Sequence, residues 1–136
     1  MNQYPLQTFD KVRYADTDRQ GHVNNSVFNQ YFETGRVELL YHPEHPMYSE
    51  GCAFVIVSSN VEYLHEIQWP GLVQIGTAVQ RIGTSSIHFV QSLFQENILV
   101  AQGDTIIVQV DRSTTSSSPL NPKCRAILQK YLIEAK

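Results

Sequence analysis

Cysteine, basic charge and long apolar runs are all scarce in this 136-residue chain. There are two cysteines, Cys52 and Cys124, and no CxxC or Cys/His spacing of the zinc-site kind. A chain of this length buries a core without a cross-link. Both cysteines are therefore read as reduced thiols of a cytoplasmic protein. Ten Lys and Arg stand against thirteen Asp and Glu, for a formal net charge of −3. With no basic stripe to neutralise phosphates, nucleic acid is excluded as a partner. No apolar run approaches the roughly 20 residues that span a bilayer, so no membrane partner is expected. Residues 1–8 have neither the basic nor the apolar region of a signal peptide. There is no internal repeat, and the only biased stretch is the serine-rich connector 114–118. What remains is ordinary globular composition, 42% hydrophobic and 17% charged, and predicts a single domain over residues 1–136.

The apolar pattern predicts an element order. Phe9, Val12 and Tyr14 suggest a short strand over 7–14, and 16–25 reads as a loop. Phe28, Tyr31, Phe32, Gly35, Leu39 and Leu40 recur at helical spacing, which predicts a helix over 26–41. Asn24, Asn25 and Ser26 are all suitable N-caps. His42-Pro43 stops the helix, because the residue before proline avoids the α region. Gly35 costs about 1 kcal/mol against Ala in mid-helix, which points to close approach of the helix to a sheet. Strands are expected over 53–67, with Val55, Val57, Val61, Tyr63 and Ile67 sharing one face, and over 72–82, 86–95 and 98–110. Gly103-Asp104 suggests a bulge in the last of these. Asn121-Pro122 opens a C-terminal helix that runs to about residue 133. Short turns between the later strands make them antiparallel neighbours, and a helix laid on such a sheet is an α+β architecture.

The reactive groups concentrate between the first strand and the first helix. Asp16, Asp18, His22, Asn24 and Asn25 lie within ten positions, immediately before the helix start. A helix start offers unpaired N–H groups and partial positive charge. A carboxylate held beside it suits acyl transfer, where a base or nucleophile meets the carbonyl carbon and donors meet its oxygen. From spacing alone, Asp18 fits either that role or a loop carboxylate capping its own turn. Asp16 reads as structural, bonded to loop N–H groups. His22 either orients the carboxylate, donates to substrate or caps the helix. Glu33 reads as an ion-pair partner of Arg36 at i,i+3 or as an acid at the site.

The run Asp16-Thr17-Asp18-Arg19-Gln20-Gly21-His22-Val23-Asn24-Asn25, with Tyr31-Phe32-Glu33 and Arg36 beyond it, resembles the hotdog-fold acyl-CoA thioesterases of the 4-hydroxybenzoyl-CoA thioesterase type. The element order is similar too. The resemblance implies a hotdog fold, a curved antiparallel sheet wrapped around one long central helix. It implies hydrolysis of an acyl-CoA to a free acid and CoA, with Asp18 as general base or nucleophile and the Asn25 backbone N–H as oxyanion donor. His-Val-Asn-Asn also resembles the acyl-carrier-protein thioesterases of plants, whose aspartate, asparagine and histidine fall on Asp18, Gln20 and His22, and whose helix glutamate falls on Glu33. Gln20 stands where those proteins have asparagine. A homodimer or homotetramer is implied, with no cofactor, since CoA is part of the substrate.

Gln20, Asn24 and Glu33 are the nearer candidates for holding substrate. Arg81 with Thr84 and Ser85 is a candidate for the CoA phosphates, and Arg112, Lys123 and Arg125 form a second basic group. Tyr14, Phe28, Tyr31, Phe54 and Tyr63 either line an acyl pocket or fill the core. His42-Pro43-Glu44-His45 carries two histidines without a convincing third ligand and reads as surface, so no metal is expected. Three rivals remain: an acyl-carrier-protein thioesterase, a hotdog hydratase or dehydratase using His22 with Asp18 or Glu33, and a non-catalytic acyl-thioester binding protein.

Overall fold

A computed structural model describes residues 3–133. Five strands form one antiparallel sheet: β1 (Leu6–Lys11), β2 (Cys52–Tyr63), β3 (Leu72–Ile82), β4 (Ser86–Gln95) and β5 (Ile98–Asp111). Their spatial order is β1-β3-β4-β5-β2, which leaves β1 and β2 as edges. Helix α1 (Asn25–Leu40) follows β1, and α2 (Pro122–Gln129) follows β5. The α+β architecture and the antiparallel meander β3-β4-β5 agree with the sequence reading, whereas β2, expected beside β3 because only a short turn joins them, pairs instead with β5 at the opposite edge.

Helix α1 starts at Asn25 because Asn24 caps it, its side-chain oxygen accepting from the Ser26 N–H at 3.0 Å. Val27, Phe28, Tyr31, Phe32, Gly35, Arg36, Leu39 and Leu40 form its buried face, laid against β1, β3 and β4. Gly35 sits where the helix comes nearest the sheet. A Cβ there would lie 2.5 Å from Thr77 Oγ1 and 2.8 Å from Ile75 Cγ2, so the expected close approach is present. Around this contact the core divides. Phe28, Phe32, Val73, Ile75 and Leu93 pack near the start of the helix, and Leu39, Leu40, Val79, Phe89 and Leu128 near its end.

Four further expectations need correction. The first strand stops at Lys11, and residues 14–16 form a 3₁₀ turn. The Asp16 carboxylate makes that turn by accepting from the Arg13 N–H at 2.9 Å. The shared face of Val55, Val57, Val61 and Tyr63 is broken by a β-bulge between Ile56 and Ser58. The extra residue reverses which side faces the helix, and the strand ends at Tyr63. Gly103 is no bulge, since β5 pairs in register on both sides of it. It is small because Phe32 lies on it, 2.9 Å from where a Cβ would be. Finally, α2 ends at Gln129, and the chain then joins the sheet. Val79 N–H donates to Tyr131 O at 2.8 Å, and Ile133 N–H to Val79 O at 2.9 Å. This happens beyond Thr77, the last residue of β3 that β1 pairs, where the outer backbone groups of β3 need other partners.

Cys52 and Cys124 are free and buried, as the sequence suggests. Burial pushes the Cys124 thiol up to about 11. No helix of the described residues is long and apolar enough to cross a membrane.

Candidate active site

The loop before α1 is a tight reversal. Asp18 N–H donates to His22 O at 2.8 Å, and Gly21 N–H to Asp18 O at 3.1 Å. Gly21 closes the turn at φ +83°, a conformation glycine adopts without strain. Two further bonds pin the loop. Asn24 N–H donates to Asp16 O at 2.9 Å, and Val23 N–H to Ile67 O at 3.0 Å. The reversal is thereby held against the helix start on one side and the segment after β2 on the other.

The two aspartates of the loop have different surroundings. Asp16 is buried and accepts from the Arg13 backbone N–H, the Arg13 guanidinium and the Tyr31 hydroxyl. Burial alone would raise its pKa, but these donors outweigh it and hold the carboxyl below its usual value. Burial and the neighbouring Asp16 charge push the Tyr31 phenol above its usual value. Asp16 is thus structural, as the sequence reading has it. Asp18 is exposed. One of its oxygens accepts from the Gln20 N–H at 2.8 Å, and the other has no partner among the described residues.

Asp18, Gln20, His22, Asn24 and Asn25 share a cleft of about 470 Å³ with Phe28, Tyr63 and Glu66. The Asn25 N–H is the first of the helix and has no hydrogen-bond partner among the described residues. Asp18, with a free carboxylate oxygen, and Asn25, with an unpaired helix-start N–H, therefore line one cavity. His22 Nε2 lies 3.1 Å from Glu66 Oε2, with the histidine side chain 30% exposed. Phe28 and Tyr63 supply apolar surface, their rings edge to face at 5.1 Å.

A family model for the thioesterase-like superfamily matches residues 12–128. The chain belongs to the thioesterase-like superfamily. It is 28% identical over 130 residues to the acyl-CoA thioester hydrolase YbgC of Escherichia coli, covering 93% of this chain and 92% of that one. A solved protein of Pseudomonas aeruginosa superposes with a TM-score of 0.88 at 25% identity, covering 99% of this chain and 96% of the other. A Thermus thermophilus thioesterase, solved with coenzyme A and zinc, superposes at 0.81 with 25% identity, covering 95% of each.

In this member of the superfamily, other residues singled out in the sequence lie elsewhere. Glu33 is exposed and lines a separate recess with Arg36, Ile56 and Ser59. No ion pair joins Glu33 to Arg36 among the described residues. Arg36 is buried and donates to Gln91 Oε1 at 3.1 Å. Burial lowers the Arg36 pKa, and the Glu33 charge partly opposes that. Arg81, Thr84 and Ser85 lie at the end of β3 remote from the loop, since β1 runs into the loop at Lys11, opposite Leu72 at the other end of β3. One chain does not bring them to the cleft. Arg125 is also engaged, donating to Gly83 O at 2.7 Å. Of the aromatic candidates, Tyr31 is tied to Asp16, Phe54 packs on Tyr41, and Tyr14 packs on Trp69.

The far wall of the cleft, Leu64, His65 and Glu66, is absent from the sequence reading. It was hidden inside an apparent strand running on to Ile67. The polar pair His65-Glu66, interrupting the alternation, is the signal that could have marked it.

Proposed function

We propose that this chain hydrolyses acyl-CoA thioesters in the Asp18 cleft, releasing a free acid and CoA. The observation that carries the reading is that Asp18 and Asn25, the residue with the unpaired helix-start N–H, line the same cavity. The thioester carbonyl oxygen is set against the Asn25 N–H. Asp18 either deprotonates the attacking water or itself attacks to give an anhydride that water opens. The C–S bond breaks, and the CoA thiolate leaves and takes up a proton. His22, held by Glu66, Gln20 and Asn24 contact the substrate around the reacting carbonyl. The acyl group lies along Phe28 and Tyr63. The carboxylate and the helix-start donor supply what hydrolysis needs, so no cofactor is invoked. Similarity to acyl-CoA thioester hydrolase YbgC and to a thioesterase solved with coenzyme A supports CoA as the carrier.

The reading includes the hotdog arrangement, with α1 as the central helix, and a homodimer that can pair further into a homotetramer. Support for the dimer comes from β2. This edge strand of twelve residues exposes Val55, Ile56 and Val57 at 41, 54 and 59%. A long apolar edge left unpaired invites a second strand. A second copy at β2 would also cover the Glu33 recess, whose lining includes Ile56 and Ser59 of that strand. Buried free cysteines support a cytoplasmic setting. The test is thiol release from a panel of short, long and aromatic acyl-CoAs. Turnover of some members supports the reading, and binding without turnover of any member contradicts it.

A further inference from the structure

The turn after α1 gathers three metal-ligating side chains outside the cleft. His45 N–H donates to His42 O at 3.1 Å, closing a four-residue turn with Pro43 at its second position. Met47 is buried, and its N–H donates to Leu40 O at 3.0 Å, anchoring the far side of the turn to the end of the helix. Within this frame the His42 and His45 rings sit 4.7 Å apart. In the sequence the two histidines lack a third ligand. The turn supplies it: ligand atoms of His42, Glu44 and His45 all lie within 4.8 Å of one another.

We propose that His42, Glu44 and His45 form a binding site for a zinc-type transition-metal dication. Two imidazoles and one carboxylate are the donor set that zinc takes, where magnesium and calcium prefer oxygen alone. Zinc bonds of about 2.0–2.2 Å place tetrahedral ligands roughly 3.4 Å apart. The present separations, within 4.8 Å, need to shorten by at most about 1.4 Å to reach that size, which side-chain rotation supplies. His42 Nδ1 accepts from the Glu44 N–H at 3.3 Å, a long bond that yields readily to a metal. All three side chains reach solvent, which gives the ion an entry path and leaves water to complete its shell. The bound ion would clamp the end of α1 to the segment leading into β2.

The test is titration of zinc chloride into the chelator-stripped full-length protein, followed by calorimetry, with melting temperature as a second readout. The wild type is expected to bind one zinc per chain and to melt higher with zinc present. His42→Ala and His45→Ala each weaken binding by about tenfold or more. Their melting temperatures in chelator stay at the wild-type value, because the side chains are on the surface. Magnesium chloride gives no heat. Absence of zinc binding by the wild type overturns the proposal. So does equal binding by the His42→Ala/His45→Ala variant, which would assign the metal to other groups such as His22 and Glu66.

Discussion

Asp16 and Asp18 stand two positions apart and differ in almost everything their surroundings impose. Asp16 is buried under the guanidinium of Arg13 and the hydroxyl of Tyr31, and Asp18 opens into the cleft. Asp16→Asn places an amide where donors converge and should cost about 1–3 kcal/mol in a denaturant titration. The sign of its pH dependence follows from its lowered pKa. The stability Asp16 contributes is fully present above about pH 4, the ordinary aspartate range. It is lost as pH falls through the lower native value. The wild-type advantage over Asp16→Asn should therefore shrink in acid; an advantage that grew below pH 4 would contradict this assignment. The sequence favours a structural Asp16 but cannot show what makes it so. The decisive partner, Tyr31, lies fifteen positions along, and only folding brings its hydroxyl to 3.1 Å.

Helix α1 links stability to the site. Its apolar face follows from spacing alone: Phe28, Tyr31, Phe32, Gly35, Leu39 and Leu40 are all buried, and the structure adds Val27 and Arg36. Its start did not follow, because three consecutive residues were competent caps and one hydrogen bond, Ser26 N–H to Asn24 Oδ1, decides among them. Asn24→Ala should cost about 1 kcal/mol and also lower kcat, because the same cap fixes where the Asn25 N–H points. Full activity with lost stability would separate cap from site. Gly35→Ala is also expected to destabilise. The helix propensity gain of about 1 kcal/mol is outweighed by backbone and side-chain shifts of about 1–3 kcal/mol, because Thr77, Gln91 and Ile75 all lie under 3 Å from the new methyl. A melting temperature above wild type would show that the helix has room to move. The strand faces were less legible. A single extra residue at the β2 bulge inverts the alternation, and no residue type in Val55-Ile56-Val57-Ser58 announces it.

The complete fold joins a cleft at one end of the sheet to an apolar edge along one side. The antiparallel run β3-β4-β5 was readable from turns and alternation, but the place of β2 was not: the short turn before β3 suggested neighbours, and β2 instead pairs with β5 at the opposite edge. Glu96-Asn97, both at positive φ, make the tight reversal that hairpin twist favours. Which distant segments meet was not readable: the wall at Glu66 and the separation of Arg81 from Asp18 depend on where strands end. Ile56→Lys puts a charge on the exposed edge of β2 and should shift the protein toward monomer in analytical ultracentrifugation, with activity falling alongside. A dimer unaffected by this charge would remove β2 as the interface. The central claim rests on Asp18, whose exposed side chain can change without disturbing the core. The most direct measurement is kcat for thiol release by wild type and Asp18→Asn on the best acyl-CoA, with circular dichroism confirming that both are folded. A loss of about 10²–10⁴-fold in the variant is the predicted result. Equal rates would return Asp18 to the role of a turn cap.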